Sequence, residues 1–261
     1  MSGDIIDDRM LGALHLRALD RGGFTRDPAV EHVAFQTGTL NALMDGHFDG
    51  DTAIGELLHH GDHGIGTIDG LNGEMVIVDG KAFVVHADGS VAPIPPDTRT
   101  PFAVVCTFSP YAATDIEEPQ ILADLLARAG TLTEQRSFTA IRVDGEFTDL
   151  RLRSVHAQTK PYPSLTEVTR HQTEWSIPSA RGTIVGFRFP DRAAGVEVPG
   201  HHLHFLSEDR MCGGHVLGLS IEAGRLSVDG GDELHVELPA GVALGQPGRA
   251  DRAAIRDAEG G

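Results

Sequence analysis

The residues best suited to chemistry lie in two short histidine-bearing segments in the second half of the chain. His202 and His204 are separated by one leucine, and His215 follows a Gly-Gly pair further along. Alternate residues of a strand point to the same face, so His202 and His204 would project together. A hairpin turning at the glycines would bring His215 beside them. Three imidazoles converging on a rigid sheet are typical of a catalytic zinc site, which keeps a fourth position open for water or substrate.

The chain has 14 histidines, so the same residues could also be ordinary surface or core side chains. His201 alternates to the opposite face and is excluded from the predicted site. His59, His60 and His63 form a second group. The first two fall at the end of a predicted helix, where the helix dipole alone favours positive charge.

Composition limits the classes of function. The 261 residues suffice for one large domain or two small ones. Twenty-one Lys and Arg residues against 38 Asp and Glu give a net charge of -17, which disfavours nucleic acid and anionic membranes as partners. No apolar run reaches the roughly 18 residues of a spanning helix, and the acidic N-terminus lacks the features of a signal peptide. We therefore expect a cytoplasmic location.

Cysteine is too scarce to build a metal site. Cys106 and Cys212 lie in separate apolar contexts and cannot form a disulfide framework or an all-thiolate zinc site. We expect both to be inert packing residues. Any metal would therefore be held by nitrogen and oxygen atoms.

The predicted fold class is α+β, in which a mixed β-sheet region with few helices precedes a small antiparallel β-barrel that carries the three-histidine site. Residues 1–30 are polar and weakly periodic and are interpreted as an N-terminal arm, helical or partly ordered. The mixed sheet is assigned to 31–160 and the barrel with the metal site to 161–249. Residues 250–261 are a polar C-terminal tail able to close over the site.

Local patterns support this organisation. Asp79-Gly80 and Asp144-Gly145 each separate two apolar runs and predict two-residue hairpins. Apolar spacing with a proline near the start and a glycine at the stop predicts a helix over 117–129, and a shorter helix is predicted to end at Leu58. Strands are predicted over 34–39 and 102–108 and, beyond residue 156, over 183–189, 196–198, 202–206, 215–221, 225–228 and 234–238.

Several short segments, taken in order and spacing, resemble the alpha-acetolactate decarboxylase family. The resemblance runs in colinear order from about Phe35 to Leu219 and only weakly beyond. No single segment is decisive, but their order and spacing together are specific. The segments are Phe35-Gln36-Thr37-Gly38-Thr39, Gly61-Asp62-His63-Gly64-Ile65-Gly66-Thr67, Asn72-Gly73-Glu74-Met75, Arg153-Ser154-Val155, Lys160-Pro161-Tyr162, Gly182-Thr183-Ile184-Val185-Gly186-Phe187 and Gly200-His201-His202-Leu203-His204-Phe205.

The resemblance implies a zinc-dependent, homodimeric enzyme that converts 2-acetolactate to acetoin and carbon dioxide. It implies that the zinc ligands are His202, His204 and His215. It also implies active-site roles for Glu74, Arg153 and Thr67. The family's second glutamate comes from the C-terminal tail. Glu259 is the best candidate there, with Glu233 and Glu237 left as alternatives.

Three positions depart from the family pattern. Asn72 stands where an acid is usual, His63 where phenylalanine is usual and His201 where an aromatic residue is usual. These changes could tune the pocket, but none of them removes a predicted ligand.

The implied reaction explains why these groups would be needed. Loss of carbon dioxide from acetolactate leaves an electron pair that must flow into the neighbouring ketone, giving an enediolate. A divalent metal stabilises that charge as a Lewis acid. Arg153 offers a planar fork that can orient the substrate carboxylate, and Glu74 or Glu259 could deliver a proton to one face.

Other classes of function fit parts of the same pattern. Without the resemblance, Glu74 could be a solvated turn acid, Arg153 an exposed strand residue and Thr67 a donor to nearby backbone. The three histidines could serve a zinc hydratase or hydrolase, or a non-catalytic metal-binding protein. Imidazole sites also bind nickel, cobalt or iron, so zinc is the first of several candidate metals.

Overall fold

The computed structural model describes residues 5–24, 30–133 and 136–239. Strands dominate this part of the chain and helices are few and short, as predicted. The strands are β1 (Ile5–Leu11), β2 (Leu14–Asp20), β3 (Val33–Thr37), β4 (Thr52–Ala53), β5 (His63–Thr67), β6 (Glu74–Val78), β7 (Lys81–Val85), β8 (Val91–Pro93), β9 (Arg99–Thr100), β10 (Ala103–Cys106), β11 (Ala112–Ile116), β12 (Gln120–Ile121), β13 (Phe138–Ser154), β14 (Thr173–Phe189), β15 (Gly200–Ser207), β16 (Gly213–Gly231) and β17 (Glu233–Leu238). The α-helices are α1 (Leu40–Met44), α2 (Ile54–Leu57), α3 (Leu122–Leu132) and α4 (Leu165–Thr169).

A nine-stranded mixed sheet contains most of the N-terminal half. Its strand order is β1-β2-β17-β3-β10-β5-β6-β7-β8. β17 runs parallel to both of its neighbours, β2 and β3, whereas the other pairs are antiparallel. The last described strand therefore returns to this sheet and lies between β2 and β3, two of the first strands of the chain.

A six-stranded antiparallel sheet is built around the long strands β13, β14 and β16. β13 pairs with both β14 and β16, and β15 pairs with β14 along its length and with β16 over a short stretch. β11 and β12 pair with β16. An antiparallel sheet carries the three histidines, as predicted, whereas its closure into a barrel stays a prediction.

The two sheets share a hydrophobic core. One cluster of buried side chains combines Leu16 and Val104 of the nine-stranded sheet with Phe187 and Leu206 of the six-stranded sheet. Burying such residues contributes roughly 1.5–3 kcal/mol each before entropy is counted. This packing fixes β15 against β6, where the histidine cluster lies.

The N-terminal residues correct one expectation. Residues 5–20 form two strands joined at Gly12, not the predicted helical or partly ordered arm. Leu14, Leu16 and Ala18 are all buried, which is the two-residue period of a strand with one face in the core. The division of the chain at residues 30, 160 and 249 stays a prediction. The sheets do not follow it, because β13 belongs to the six-stranded sheet and β17 to the nine-stranded one.

The two Asp-Gly pairs have different outcomes. Asp79 and Gly80 both have positive φ and join β6 to β7, so that hairpin is confirmed. The hairpin predicted at Asp144-Gly145 is wrong, because β13 continues through both residues. A Cβ on Gly145 would lie 2.6 Å from the carbonyl oxygen of Ala223, so this glycine allows close approach of β16.

Other boundaries also shift. The predicted helix over 117–129 begins later, as α3, because residues 120–121 pair with β16 as β12. The strands predicted over 215–221 and 225–228 are parts of one continuous strand, β16. Among the described residues, no helix is long and apolar enough to cross a bilayer.

Candidate functional site

Three buried histidines converge on the inner face of the six-stranded sheet. His202 and His204 lie on β15, and His215 on β16 is directly opposite His204 in the strand register. One ring nitrogen from each histidine lies within 4.8 Å of the others. All three side chains are buried. The convergence expected from the sequence spacing is therefore confirmed, whereas the role of these residues as metal ligands stays a prediction.

His204 is oriented by a backbone contact. Its Nδ1 lies 2.8 Å from the carbonyl oxygen of Met75 on β6, which makes Nδ1 the N–H donor. Nε2 then carries the lone pair and lies 3.2 Å from Nε2 of His202 and 3.4 Å from Oε2 of Glu74. Fixing one ring nitrogen through a carbonyl while the other faces the site is typical of metal-binding histidines.

Burial keeps the imidazoles of His202 and His204 neutral. Burial holds the pKa of His202 well below its usual range. Electrostatic repulsion from His204 and from the Arg153 guanidinium lowers this pKa further. Burial likewise lowers the pKa of His204 to about 3, against the opposing effect of the Met75 carbonyl. Neutral imidazoles offer lone pairs at pH 7, and a neutral nitrogen facing a carboxylate oxygen favours a cation between them. The donor set therefore fits a divalent transition metal.

Arg153 is next to the cluster on the neighbouring strand. Its position on β13 pairs with His215 on β16, so the sheet register places the guanidinium beside the imidazoles. The side chain is only 3% exposed, and Nη1 lies 3.4 Å from Oε1 of Glu74. A buried guanidinium is costly unless a charged partner or ligand compensates it. Its planar donors suit a carboxylate.

Glu74 enters the site through a constrained turn. It opens β6 directly after Gly73, which has φ +104°, and a Cβ there would lie 2.5 Å from the carbonyl oxygen of Val85. Thr67, paired with Glu74 across β5 and β6, donates its hydroxyl to the Gly73 carbonyl at 2.8 Å. Thr67 thus holds the turn that presents Glu74, and it also borders the cavity.

A partly open cleft lies beside these groups. A concave, mainly apolar surface with a few polar groups is typical of small-molecule sites. Glu74, Arg153 and His202 form its polar side. The rest of the lining is mainly apolar and comes from separate chain segments: Leu43, Gly66, Leu71, Phe102, Val155, Leu165 and Thr169. Sequence reasoning missed this wall, because each residue has the pattern of an ordinary core position.

Two of the remaining glutamate candidates, Glu237 and Glu233, are not brought to the cluster. Glu237 accepts hydrogen bonds from Arg21 and from the backbone of Gly22, and burial raises its pKa. Glu233 pairs with His235 at 2.6 Å. Neither residue lines the cleft. Glu259 lies outside the described residues, so its predicted role stays a prediction.

The other histidines and the cysteines are also separate from the site. His63 is buried against the ring of Phe108, with centroids 4.5 Å apart, and His60 stacks on Phe35. His201 is exposed and is not part of the histidine cluster, as its exclusion from the predicted site requires. Cys106 and Cys212 are free thiols that pack with hydrophobic clusters.

A buried histidine cluster beside an arginine–carboxylate pair, in a small-molecule cleft between two sheets, is typical of an enzyme. The family model for alpha-acetolactate decarboxylase matches residues 34–245. The chain is 42% identical to the alpha-acetolactate decarboxylase of Methylococcus capsulatus over 210 residues, covering 80% of this chain and 81% of that protein. It is 36% identical to the Klebsiella aerogenes protein of that name over 246 residues, covering 92% and 93%.

Solved structures agree with these matches. The crystal structure of alpha-acetolactate decarboxylase from Bacillus subtilis strain 168 superimposes with a TM-score of 0.82 at 32% identity, covering 88% of this chain and all of that one. The chain belongs to the alpha-acetolactate decarboxylase family, whose members are carboxy-lyases. The resemblance found in the sequence is confirmed.

Proposed function

We propose that this protein decarboxylates 2-acetolactate to acetoin and carbon dioxide, using a divalent metal held by His202, His204 and His215. The observation that carries the proposal is the convergence of the three imidazoles beside Arg153 and Glu74, next to a cleft that His202, Arg153 and Glu74 line. Membership of the family supports the choice of substrate. We further propose that the protein is a homodimer, as the family resemblance implies, and that it acts in the cytoplasm.

Zinc is the metal we propose, because a group of three histidine nitrogen ligands matches the protein ligand set of catalytic zinc sites. When bound, the metal would supply a Lewis acid that stabilises negative charge developing on the substrate ketone oxygen. His204 would be held for this task by its hydrogen bond to the Met75 carbonyl.

Arg153 is proposed to bind the carboxylate that leaves as carbon dioxide. Two parallel N–H donors can hold that group out of the plane of the ketone, so that the breaking C–C bond overlaps the carbonyl. Binding the carboxylate would displace part of the present contact with Glu74, which is long at 3.4 Å. The guanidinium would therefore exchange one carboxylate partner for another without losing its charge compensation.

Glu74 is proposed to deliver the proton that completes acetoin, after taking it up from water when Arg153 exchanges Glu74 for the substrate carboxylate. The bond to carbon dioxide breaks, its electron pair passes through the enediolate of the substrate, and one proton adds at the carbon that carried the carboxylate. Glu74 lies beside both His204 and Arg153, within reach of a substrate bound by either. Delivery from one fixed side would give a single acetoin enantiomer. Glu259 of the C-terminal tail is proposed as the second carboxylate.

The test is acetoin formation from racemic 2-acetolactate, with chiral analysis of the product. The protein is assayed as purified, after chelation and after return of zinc, against the spontaneous decay of the substrate. We expect one enantiomer, lost on chelation and restored by zinc. Acetoin at the blank rate from folded, zinc-loaded protein would exclude the proposal. Ester or carbon dioxide hydration in the same samples would favour the hydratase or hydrolase alternative, and zinc binding without turnover would favour a metal-binding protein.

A further inference from the structure

The segment between β13 and α4 contains a motif that the proposed reaction leaves unused. We call residues 156–164 the strap. It includes Lys160-Pro161-Tyr162 and has neither helical nor strand structure. Its two flanking residues, Val155 and Leu165, both line the apolar wall of the cleft. The position of the strap therefore determines where this part of the wall lies.

The strap is bound to the loop that follows α1 through one acidic residue. Asp49 accepts from Nζ of Lys160 at 2.5 Å and from the hydroxyl of Tyr162 at 2.9 Å. These contacts lower the pKa of Asp49, with the Lys160 hydrogen bond as the largest cause. The ring of Tyr162 also packs on Phe48, with centroids 5.2 Å apart. Two hydrogen bonds, one of them from a charged lysine, and one aromatic contact thus join the strap to the short loop after α1.

A third segment completes the arrangement. The backbone N–H of Gly70 donates to the carbonyl of Phe48 at 2.9 Å, and the N–H of Gln158 donates to the carbonyl of Gly70 at 2.7 Å. Gly70 precedes Leu71, and the loop follows Leu43, both of which line the cleft. The three joined segments therefore carry most of the apolar wall.

We propose that Lys160 and Tyr162 are positioning residues that, by binding Asp49, hold the strap in place and so set the apolar wall opposite His202. The proposal rests on the proposed function for its kinetic readout. The Lys160 and Asp49 side chains are 66% and 59% exposed, and such pairs contribute little to global stability. Their effect is expected in substrate binding, because Val155 and Leu165 at the two ends of the strap line the cleft, and not in folding or metal content.

The test uses charge reversal. Lys160→Glu and Asp49→Lys are made singly and together, with Lys81→Glu as the control, since Lys81 is the other lysine of the sequence and is exposed on β7. Tyr162→Phe removes the hydroxyl but keeps the ring against Phe48. KM and kcat for 2-acetolactate are measured together with hydrogen exchange at the Gln158 amide.

Each single reversal should raise KM about fivefold with kcat within about twofold, and should speed Gln158 exchange about fivefold. The double reversal should recover the larger part of both losses. Tyr162→Phe should also raise KM and speed Gln158 exchange, by a smaller factor. Single variants that match Lys81→Glu in both readouts would overturn the proposal. A loss of bound metal and a fall in kcat together with the rise in KM would also overturn it, because these changes indicate general structural damage. If the wild type forms no acetoin, the proposed function fails, while the exchange measurement still decides the role of the strap.

Discussion

Two buried histidine environments in this protein have the same burial and different neighbours. His204 and His63 are both inaccessible to solvent, and burial lowers the pKa of each to about 3. His204 faces the imidazole of His202 and the carboxylate of Glu74, and its Nδ1 donates to the Met75 carbonyl. His63 faces the rings of Phe108 and Phe187. Burial and a shifted pKa are therefore common to a candidate site and to a packing position.

The difference is the direction of the ring nitrogens relative to other polar groups. At His204 the second nitrogen points toward further donor atoms from other strands, so a metal or substrate can contact several of them at once. At His63 the ring is stacked between sheets, where no such group of ligands forms among the described residues. The comparison predicts that substitutions at the two places affect different properties.

Removal of a proposed ligand should have the largest effect. His204→Ala should lose most bound metal and lower kcat/KM about a thousandfold, because the charge developing on the substrate loses its main stabilisation. Metal content by elemental analysis and acetoin formation measure the two effects. His201→Ala, on the same strand but exposed, is the matched control and should retain both. Full activity in the His204 variant would remove it from the proposed ligand set.

Arg153 should matter for the substrate and not for the metal. Arg153→Lys keeps the charge but loses the paired donors, so kcat/KM should fall about a hundredfold with metal content unchanged. Arg151→Lys, exposed on the same strand, should change activity little. Equal activity of the two variants would contradict carboxylate binding by Arg153.

Gly73 tests whether the turn before Glu74 is required. Gly73→Ala should destabilise the protein by about 3 kcal/mol, because positive φ is unfavourable for alanine and its Cβ would collide with the Val85 carbonyl. Gly89 also has positive φ, but no atom lies within 4 Å of its Cβ position, so Gly89→Ala should cost only about 1 kcal/mol. Urea unfolding of both variants measures the difference. Equal losses of unfolding free energy would show that the contact with the Val85 carbonyl adds no destabilisation.

Sequence reasoning found those parts of the site that depend on local periodicity. The spacing of His202 and His204 predicted a shared face because side chains alternate along a strand. The return of His215 on the next strand is confirmed, but the turn predicted at Gly213-Gly214 is wrong, because both glycines pair within β16 and the chain turns over 208–212. Glu74 and Arg153 came only from the family resemblance. Their local sequence is equally typical of a turn acid and an exposed strand arginine.

The parts that were missed depend on long-range packing. Leu43 and Leu165 meet in one wall because separate segments fold together, and nothing in either local pattern shows this. Gly145 gave a wrong hairpin because a glycine that allows close strand approach has the same local sequence as one in a turn. The N-terminal strands were missed because β1 is mostly exposed and has little periodic signal.

His63 should have the smallest effect, and only in acid. Burial, aided by the positive charge of Arg142, lowers its folded-state pKa to about 3, whereas the unfolded chain has the ordinary value of 6.5. The unfolded state therefore binds more protons between these values, and stability falls as pH drops through that window.

The variant His63→Phe, which has the residue usual in the family, cannot take up this proton. Between about pH 7 and pH 5 the metal-free variant should lose about 2 kcal/mol less unfolding free energy than metal-free wild type. Urea unfolding at both pH values measures this. His59→Phe is the control, because His59 is exposed. Parallel pH profiles for wild type and His63→Phe would show that the His63 ring is protonated in the folded state as readily as in the unfolded one. The contrast with His204 would then rest on the ligand geometry alone.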